Sequence, residues 1–147
     1  MFVMSNSYNT TFNLALLLKE NLTDLIIPNN YFNRITSLVL SNNTELKRIV
    51  IGDDCFKYVR VVELDSLMEL ESLVIGKKSF RIDDSKRSDG TCRIVNCPKL
   101  KSITVDRDSF DDYNILELKS LPSLHSIDVK YGSYYRIRSF SLTGLID

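Results

Sequence analysis

The sequence has few of the side chains from which catalytic and metal sites are built. Its 147 residues include one histidine, three cysteines and no tryptophan. The single histidine, His125, occupies a repeat position that we expect to face outward, without a partner for general acid–base chemistry. Cys92 and Cys97 lie five residues apart with no second cysteine pair, so we expect small core residues there and no zinc site. No catalytic residue, metal ligand or cofactor-binding motif is predicted.

An excess of charge of either sign is also absent. The 19 basic side chains are balanced by 19 acidic ones, and the calculated isoelectric point is near 6.6. Electrostatic binding to nucleic acid or to an anionic membrane favours a basic excess, so we expect no nucleic-acid partner.

Long apolar runs and disulfide frameworks are missing as well. The longest apolar run, Leu14–Leu18, is too short to span a bilayer and lacks the flanks of a signal peptide. We predict no membrane insertion by this segment. The sparse, odd number of cysteines favours a reducing compartment, although three Asn-x-Thr triplets leave a cell-surface location open. The triplets begin at Asn9, Asn21 and Asn42.

What the chain does contain is a periodic pattern of aromatic residues and leucines. The aromatics are Tyr8, Phe32, Phe56, Phe80, Phe110 and Tyr134, at intervals of 24, 24, 24, 30 and 24 residues. The leucines Leu22, Leu46, Leu70, Leu100 and Leu124 share this spacing, including the longer interval. Two positions with one period and one insertion indicate a repeat array, and a period of about 20 to 50 residues is typical of solenoids and propellers.

Each unit has two segments with the alternation of a short β-strand. The first reads L-x-x-[LI]-x-[IV], as from Leu22 to Ile27, and the second includes Leu38 and Leu40 in the first complete unit. No unit has the ten or more residues of helical periodicity that a βα repeat requires. A coil of half the length is disfavoured because only one of the two halves carries the aromatic.

A turn and then the aromatic follow the first strand. The turn contains Pro28, Gly52 or Gly76 in the first three units, where glycine relieves the steric limit on a tight bend. We expect the aromatic to be an inward plug that stacks on its equivalents in neighbouring coils. Stacked coils bury an apolar stripe that one unit cannot bury alone.

The motifs resemble those of leucine-rich repeats. Leu22 to Phe32 fits the pattern L-x-x-L-x-L-x-x-N-x-[LF], although later units replace the Asn. The string I-x-I-G-x-x-[CS]-F at Ile49–Phe56 resembles the core of BspA-type leucine-rich repeats, which are abundant in protist repeat arrays, and Cys97–Leu100 resembles the C-x-x-L that starts them. The resemblance covers essentially the whole chain. It implies a surface or adhesion protein and supplies no catalytic residue.

The predicted fold is mainly β: a right-handed, parallel β-solenoid of leucine-rich-repeat type, with 24-residue coils of two short strands and little or no helix. A single domain spans 1–147, with coils starting near 22, 46, 70, 100 and 124, a partial coil at 8–21 and a polar loop insertion at 81–91. Because the pattern continues to both ends without a cap, two interpretations stay open: the favoured one is a piece of a longer array, and the other is an open end that a partner caps, which allows end-to-end contact through uncapped coils.

Acidic pairs invite comparison with calcium-binding solenoids and β-helix lyases, but they are out of register. Asp53-Asp54 precede their aromatic, whereas Asp111-Asp112 follow theirs, and a third pair, Asp83-Asp84, lies in the insertion. We therefore expect no ladder of carboxylates on one face. The outward centre of the second strand reads Glu63, Arg93 and Glu117 on consecutive units, which predicts an ion-pair ladder.

The outward centre of the first strand is the candidate protein-binding face. Three adjacent β-branched apolar residues form a stripe there, and exposed apolar patches often mark contacts. The five positions of this candidate face are Ile26, Val50, Val74, Thr104 and Asp128. The predicted function is a non-enzymatic scaffold for protein–protein recognition, in adhesion or assembly. The alternatives are a carbohydrate-active β-helix enzyme and a structural segment of a larger complex.

Overall fold

The computed structural model describes residues 2–3, 22–42, 45–82 and 89–144, and every regular element in these ranges is a β-strand. The partial coil predicted at 8–21 lies outside the described residues. None of the described residues forms a helix of the length and apolarity needed to cross a membrane. The strands are β1 (Phe2–Val3), β2 (Asp24–Ile27), β3 (Ser37–Ser41), β4 (Arg48–Ile51), β5 (Val61–Asp65), β6 (Ser72–Ile75), β7 (Gly90–Val95), β8 (Ser102–Val105), β9 (Tyr113–Lys119), β10 (Ser126–Val129) and β11 (Ser139–Thr143).

The strands form two parallel sheets, one on each side of a β-solenoid of about five turns. The first sheet has the order β1-β2-β4-β6-β8-β10 and the second has the order β11-β9-β7-β5-β3. Strand partners are equivalent residues of neighbouring coils, such as Leu25 and Ile49. We number the coils 1 to 5 from their leucines, Leu22, Leu46, Leu70, Leu100 and Leu124. The predicted β-solenoid with 24-residue coils and two strands per coil is confirmed.

The predicted aromatic plugs form a continuous stack along the core. Phe56 and Phe80 lie 4.8 Å apart between ring centroids and are inclined by only 6°. Within the described part of the chain, the stack runs from Phe32 through Phe110 to Tyr134, with centroid distances between 4.6 and 5.3 Å; the predicted plug Tyr8 lies outside it. Phe32, Phe56 and Phe80 are fully buried. The period of the sequence is therefore the period of this stack.

Every coil also turns through three residues with positive φ, in the left-handed region. One is the aromatic itself, at φ values of 54° to 58°. The second is the Asn position of the repeat pattern, and the third follows the second strand. The second position is occupied by Asn30, Asp54, Lys78, Asp108 and Gly132, and the third by Asn42, Ser66, Asn96, Ser120 and Gly144. Asn, Asp and Gly tolerate this region best, which explains why the Asn varies as it does in later units.

The glycines of the predicted bend serve another purpose than the one expected from the sequence. Gly52 and Gly76 do not have positive φ. A Cβ atom on Gly76 would lie 2.5 Å from the carbonyl carbon and oxygen of Gly52, so glycine is required there because adjacent coils approach closely. The left-handed conformation that the bend requires is adopted instead by the residue two positions later.

Among the five residues at the second of the positive-φ positions, Lys78 is the least suited to the left-handed conformation, and we predict that Lys78→Gly stabilises the fold. A side chain with a Cβ costs about 1–2 kcal/mol in this region, and glycine returns about 0.5–1 kcal/mol through its unfolded-state entropy. The expected net gain is about 0.5–1 kcal/mol in the free energy of unfolding, measured by chemical denaturation. Lys47→Gly is the control: its φ is not positive, so it should lose stability by a similar amount. A loss in both variants would contradict the assignment.

Tyr113 and Gly90 pack against each other at the end of the insertion in coil 3, a contact that the sequence pattern did not indicate. Tyr113 is fully buried, packs edge-on against Phe110 at 4.9 Å, and donates its hydroxyl to the carbonyl of Val59, two coils away. Gly90 makes room for it, because a Cβ atom there would lie 2.7 Å from the Tyr113 ring. Burial raises the pKa of Tyr113 well above its usual value, so the hydroxyl remains a donor.

The loop predicted at 81–91 ends two residues earlier in the structure. β7 starts at Gly90, so Gly90 and Thr91 belong to the second sheet. The pairing of β7 with β9 shifts between these two residues: Gly90 lies opposite Tyr113 and Thr91 lies opposite Ile115. Such a bulge leaves one extra residue, Asn114, on β9. Residues 83–88, which include the Asp83-Asp84 pair, lie outside the described residues.

Candidate binding face

The five candidate residues form one column across the outer face of the first sheet. Neighbours in the column are direct strand partners: Ile26 lies opposite Val50, Val50 opposite Val74, Val74 opposite Thr104, and Thr104 opposite Asp128. In coils 1 to 4 their chain neighbours point inward and are buried, whereas the column itself is half-buried; in coil 5 Asp128 and both of its chain neighbours are exposed. The structure therefore brings the predicted set together. We refer to Ile26, Val50 and Val74 as the apolar strip.

The surroundings of the apolar strip make it a shallow surface with a polar border. Gly52 and Gly76 follow Val50 and Val74 by two residues, so no side chain stands beside the strip at these positions. On the other side, the Arg48 guanidinium pairs with Asp24 at 3.2 Å. Beyond coil 3 the column becomes polar, and the Asp128 carboxylate, 2.9 Å from the Lys130 ammonium, raises the pKa of Lys130. Of the five column positions, the apolar ones are thus those of coils 1 to 3.

The outer face of the second sheet is different in chemistry. Arg93 Nε lies 2.6 Å from a carboxylate oxygen of Glu117, and Nη1 of the same guanidinium group lies 3.1 Å from a carboxylate oxygen of Glu63. The predicted ion-pair ladder is therefore confirmed. The Glu117 and Glu63 carboxylates raise the pKa of Arg93. Exposed pairs of this kind contribute under about 1 kcal/mol each, so they favour register and solubility more than stability.

Comparison with known proteins gives no relative on which a function could be based. No protein-family model matches this chain, and no curated protein or solved structure is significantly similar to it. The choice of a candidate face therefore depends on the shape and chemistry of the described residues.

The histidine and two of the cysteines singled out from the sequence lie in surroundings that fit structural roles. His125 is exposed, with its Nδ1 atom 3.0 Å from the Ser123 carbonyl oxygen. Cys92 and Cys97 are buried in the core, as predicted, and remain free thiols. Burial raises the pKa of Cys92 to about 12, so its thiol is protonated at neutral pH and is a poor nucleophile.

The acidic pairs are engaged in contacts between coils. Asp53 accepts a hydrogen bond from the backbone N–H of Lys77 at 2.9 Å, and the Asp112 carboxylate lies 3.4 Å from the Arg136 guanidinium. Within the described residues there is no group of three or more His, Cys, Asp or Glu side chains that could hold a metal ion. The interior contains an apolar void of about 20 Å³ between the sheets.

A ladder of buried hydroxyl groups is the feature that sequence reasoning missed. The Ser79 hydroxyl accepts a hydrogen bond from the Cys55 backbone N–H at 3.1 Å and donates to the Gly52 carbonyl at 2.7 Å. Ser109 and Ser133 repeat this arrangement in the next two coils. In coil 2 the Cys55 thiol takes the hydroxyl's place as donor to the Pro28 carbonyl, at 3.1 Å. The signal was present in the [CS] position directly before the aromatic.

Proposed function

We propose that this chain is a non-enzymatic recognition module of leucine-rich-repeat type, and that the outer face of its first sheet binds a protein partner. The observation that carries this proposal is the apolar strip. Ile26, Val50 and Val74 are direct neighbours in the sheet, so their methyl groups form one continuous apolar surface. An adhesion or assembly role would use such a surface repeatedly along an array.

The shape of this face fits a partner that presents a flat surface. Side chains that stand on adjacent strands are about 4.8 Å apart, and the glycine positions beside them allow close approach. A second sheet or an extended segment could pack at about 10 Å, as in sheet-on-sheet packing. The partner would present apolar side chains to the strip and polar groups to the Asp24–Arg48 pair and to Thr104. Apolar contact at the centre with a polar rim is the usual anatomy of a protein interface.

The proposal predicts that the double substitution Val50→Asp and Val74→Asp weakens partner binding at least tenfold. Two carboxylates would have to be desolvated in the contact, which costs more than the roughly 1.4 kcal/mol that a tenfold change requires. Both side chains point outward and are half-buried, so we expect the solenoid to remain folded, as checked by circular dichroism. Binding to a partner recovered with the unmodified chain would be measured by surface plasmon resonance.

The matched control is Val39→Asp on the outer face of the second sheet. Val39 is also a strand valine and is 51% exposed, so this variant introduces one carboxylate of the same kind on the opposite side and is compared with Val50→Asp and Val74→Asp singly as well as with the double variant. We expect its affinity to remain that of the unmodified chain. Equal losses from both faces, or an unchanged affinity in the double variant, would show that the candidate face is wrong.

A further inference from the structure

Three cations gather around an open pocket on the turn that joins the first strand of a coil to the second. Lys57, Lys78 and Arg81 line this pocket of about 310 Å³ together with Asp54. Asp54 and Lys78 are equivalent residues of coils 2 and 3, and so are Lys57 and Arg81. The aromatic rings of these two coils are stacked 4.8 Å apart, so the coils present their cations side by side. We call Lys57, Lys78 and Arg81 the basic cluster.

The protein itself provides little compensation for the charges of the basic cluster. The Lys57 ammonium lies 3.8 Å from the Asp54 carboxylate, and Arg81 Nε lies 3.8 Å from that of Asp111. Both distances exceed the roughly 3.2 Å of an N–H···O hydrogen bond. The Lys78 side chain has no ion pair or hydrogen bond with any described residue. The N–H donors of the cluster are therefore available to a ligand.

A comparison with Lys101 shows that this lack of compensation is particular to the pocket. The Lys101 ammonium lies 3.0 Å from the carboxylate of Glu71, its equivalent in the preceding coil. Lys78 also has an acidic equivalent in the preceding coil, Asp54, yet these two side chains form no ion pair. Lys101 thus serves the contact between coils, whereas Lys78 does not.

The backbone of Lys78 is a second, independent observation. Its φ of 57° lies in the left-handed region, where the equivalent residues of the other coils are Asn, Asp, Asp and Gly. A lysine in this conformation lowers stability, and its side chain makes no compensating contact with the described residues. Residues in such conformations are concentrated at ligand-binding sites. A lysine at this position therefore indicates a ligand for its ammonium group.

We propose that the basic cluster binds a phosphate group. Ammonium and guanidinium groups donate charge-assisted hydrogen bonds to phosphate oxygens at about 2.7–2.9 Å, and a tetrahedral anion presents oxygens to both coils at once. The Asp54 carboxylate gives selectivity, because it accepts a hydrogen bond from a P–OH group of inorganic phosphate or from a hydroxyl group beside a phosphate monoester. Sulfate has no proton to donate at neutral pH and is repelled by the carboxylate. The site is separate from the apolar strip, so the inference does not depend on the proposed function.

A nuclear magnetic resonance titration of the complete, isotope-labelled 147-residue chain tests the proposal. Sodium phosphate replaces sodium chloride at neutral pH, so that ionic strength stays constant. We expect saturable shifts of the backbone amide signals at residues 54–57 and 78–81. Sodium sulfate should bind at least threefold more weakly than phosphate at the same residues.

Four variants assign the binding to the named side chains. Lys78→Gln should weaken phosphate binding about fivefold, the upper range for an exposed ion pair. Lys101→Gln is the matched control, because it removes the same charge beside the opposite end of the first-sheet strands, and its dissociation constant should stay within twofold. Asp54→Asn should remove the preference for phosphate over sulfate. Lys78→Gly should weaken binding as Lys78→Gln does while it stabilises the fold, as expected of a residue that serves a ligand.

Glycerol phosphate as a second ligand distinguishes the two sources of the phosphate group. Tighter binding than inorganic phosphate would support a monoester as the ligand, and weaker binding would support the free ion. Three results would overturn the proposal. They are the absence of saturable shifts up to tens of millimolar phosphate, sulfate binding as tight as phosphate binding, and equal losses in Lys78→Gln and Lys101→Gln.

Discussion

Replacing Phe80 with alanine is expected to destabilise the solenoid by about 3–5 kcal/mol, the usual cost of deleting a buried phenylalanine. The ring is fully buried between Phe56 at 4.8 Å and Phe110 at 4.7 Å. Its removal leaves a gap in the middle of a one-dimensional stack, where the backbone of neighbouring coils is fixed by strand pairing and cannot collapse into the space. Chemical denaturation followed by far-ultraviolet circular dichroism would measure the loss.

Tyr58→Ala is the matched control for this prediction. Tyr58 is an aromatic of the preceding coil that is 46% exposed and outside the stack. Substitutions at such positions usually change the free energy of unfolding by no more than about 0.5 kcal/mol. If Phe80→Ala were as mild as Tyr58→Ala, the stack would not be the element that holds the coils together.

Ser79→Ala should be the next most damaging change, with a loss of about 2–4 kcal/mol. The substitution removes no apolar surface, so we expect its effect to come from lost hydrogen bonds. It leaves the Cys55 N–H and the Gly52 carbonyl without their partner in a buried site, and each such group costs about 1–3 kcal/mol. Thermal and chemical unfolding of the variant would measure the loss.

Ser79→Cys distinguishes a hydrogen-bonding role from a packing role. Cys55 shows that a thiol at this position can donate to the carbonyl of the preceding coil, although a thiol is a weaker donor than a hydroxyl. We expect this variant to retain at least half of the stability that Ser79→Ala loses. Equal losses in the two variants would indicate that packing, and not the hydroxyl ladder, determines stability here.

Much of the architecture could be predicted because it repeats. The alternation around Leu25 and Ile27 indicates a strand, the aromatic at Phe32 indicates a plug, and the shared period of 24 residues indicates the coil. Repetition also fixes which residues become strand partners, so the column through Val50 and Val74 and the pairing of Arg93 with Glu63 and Glu117 followed from alignment alone. The placement of the candidate face was thus available from the sequence, whereas its use by a partner stays a prediction.

What escaped prediction depends on distances between coils. That Gly76 is needed for approach to Gly52, and not for a bend, requires the coil separation in three dimensions. The Ser79 ladder was hidden because a serine before an aromatic has no periodic hydrophobic signal. Tyr113 occupies a position that is aliphatic in coils 1, 2 and 5, so the repeat pattern indicated an apolar core residue and gave no sign that a hydroxyl there reaches a carbonyl two coils away.

That tyrosine also changes how the array responds to local opening. In repeat proteins each unit normally contacts its immediate neighbours, so an array is a chain of nearest-neighbour couplings. The hydroxyl of Tyr113 in coil 4 reaches the Val59 carbonyl in coil 2 and so couples second neighbours across the interrupted coil 3. A long insertion would ordinarily divide such an array into two independently unfolding blocks. We therefore expect the three central coils to unfold in one cooperative transition despite the insertion.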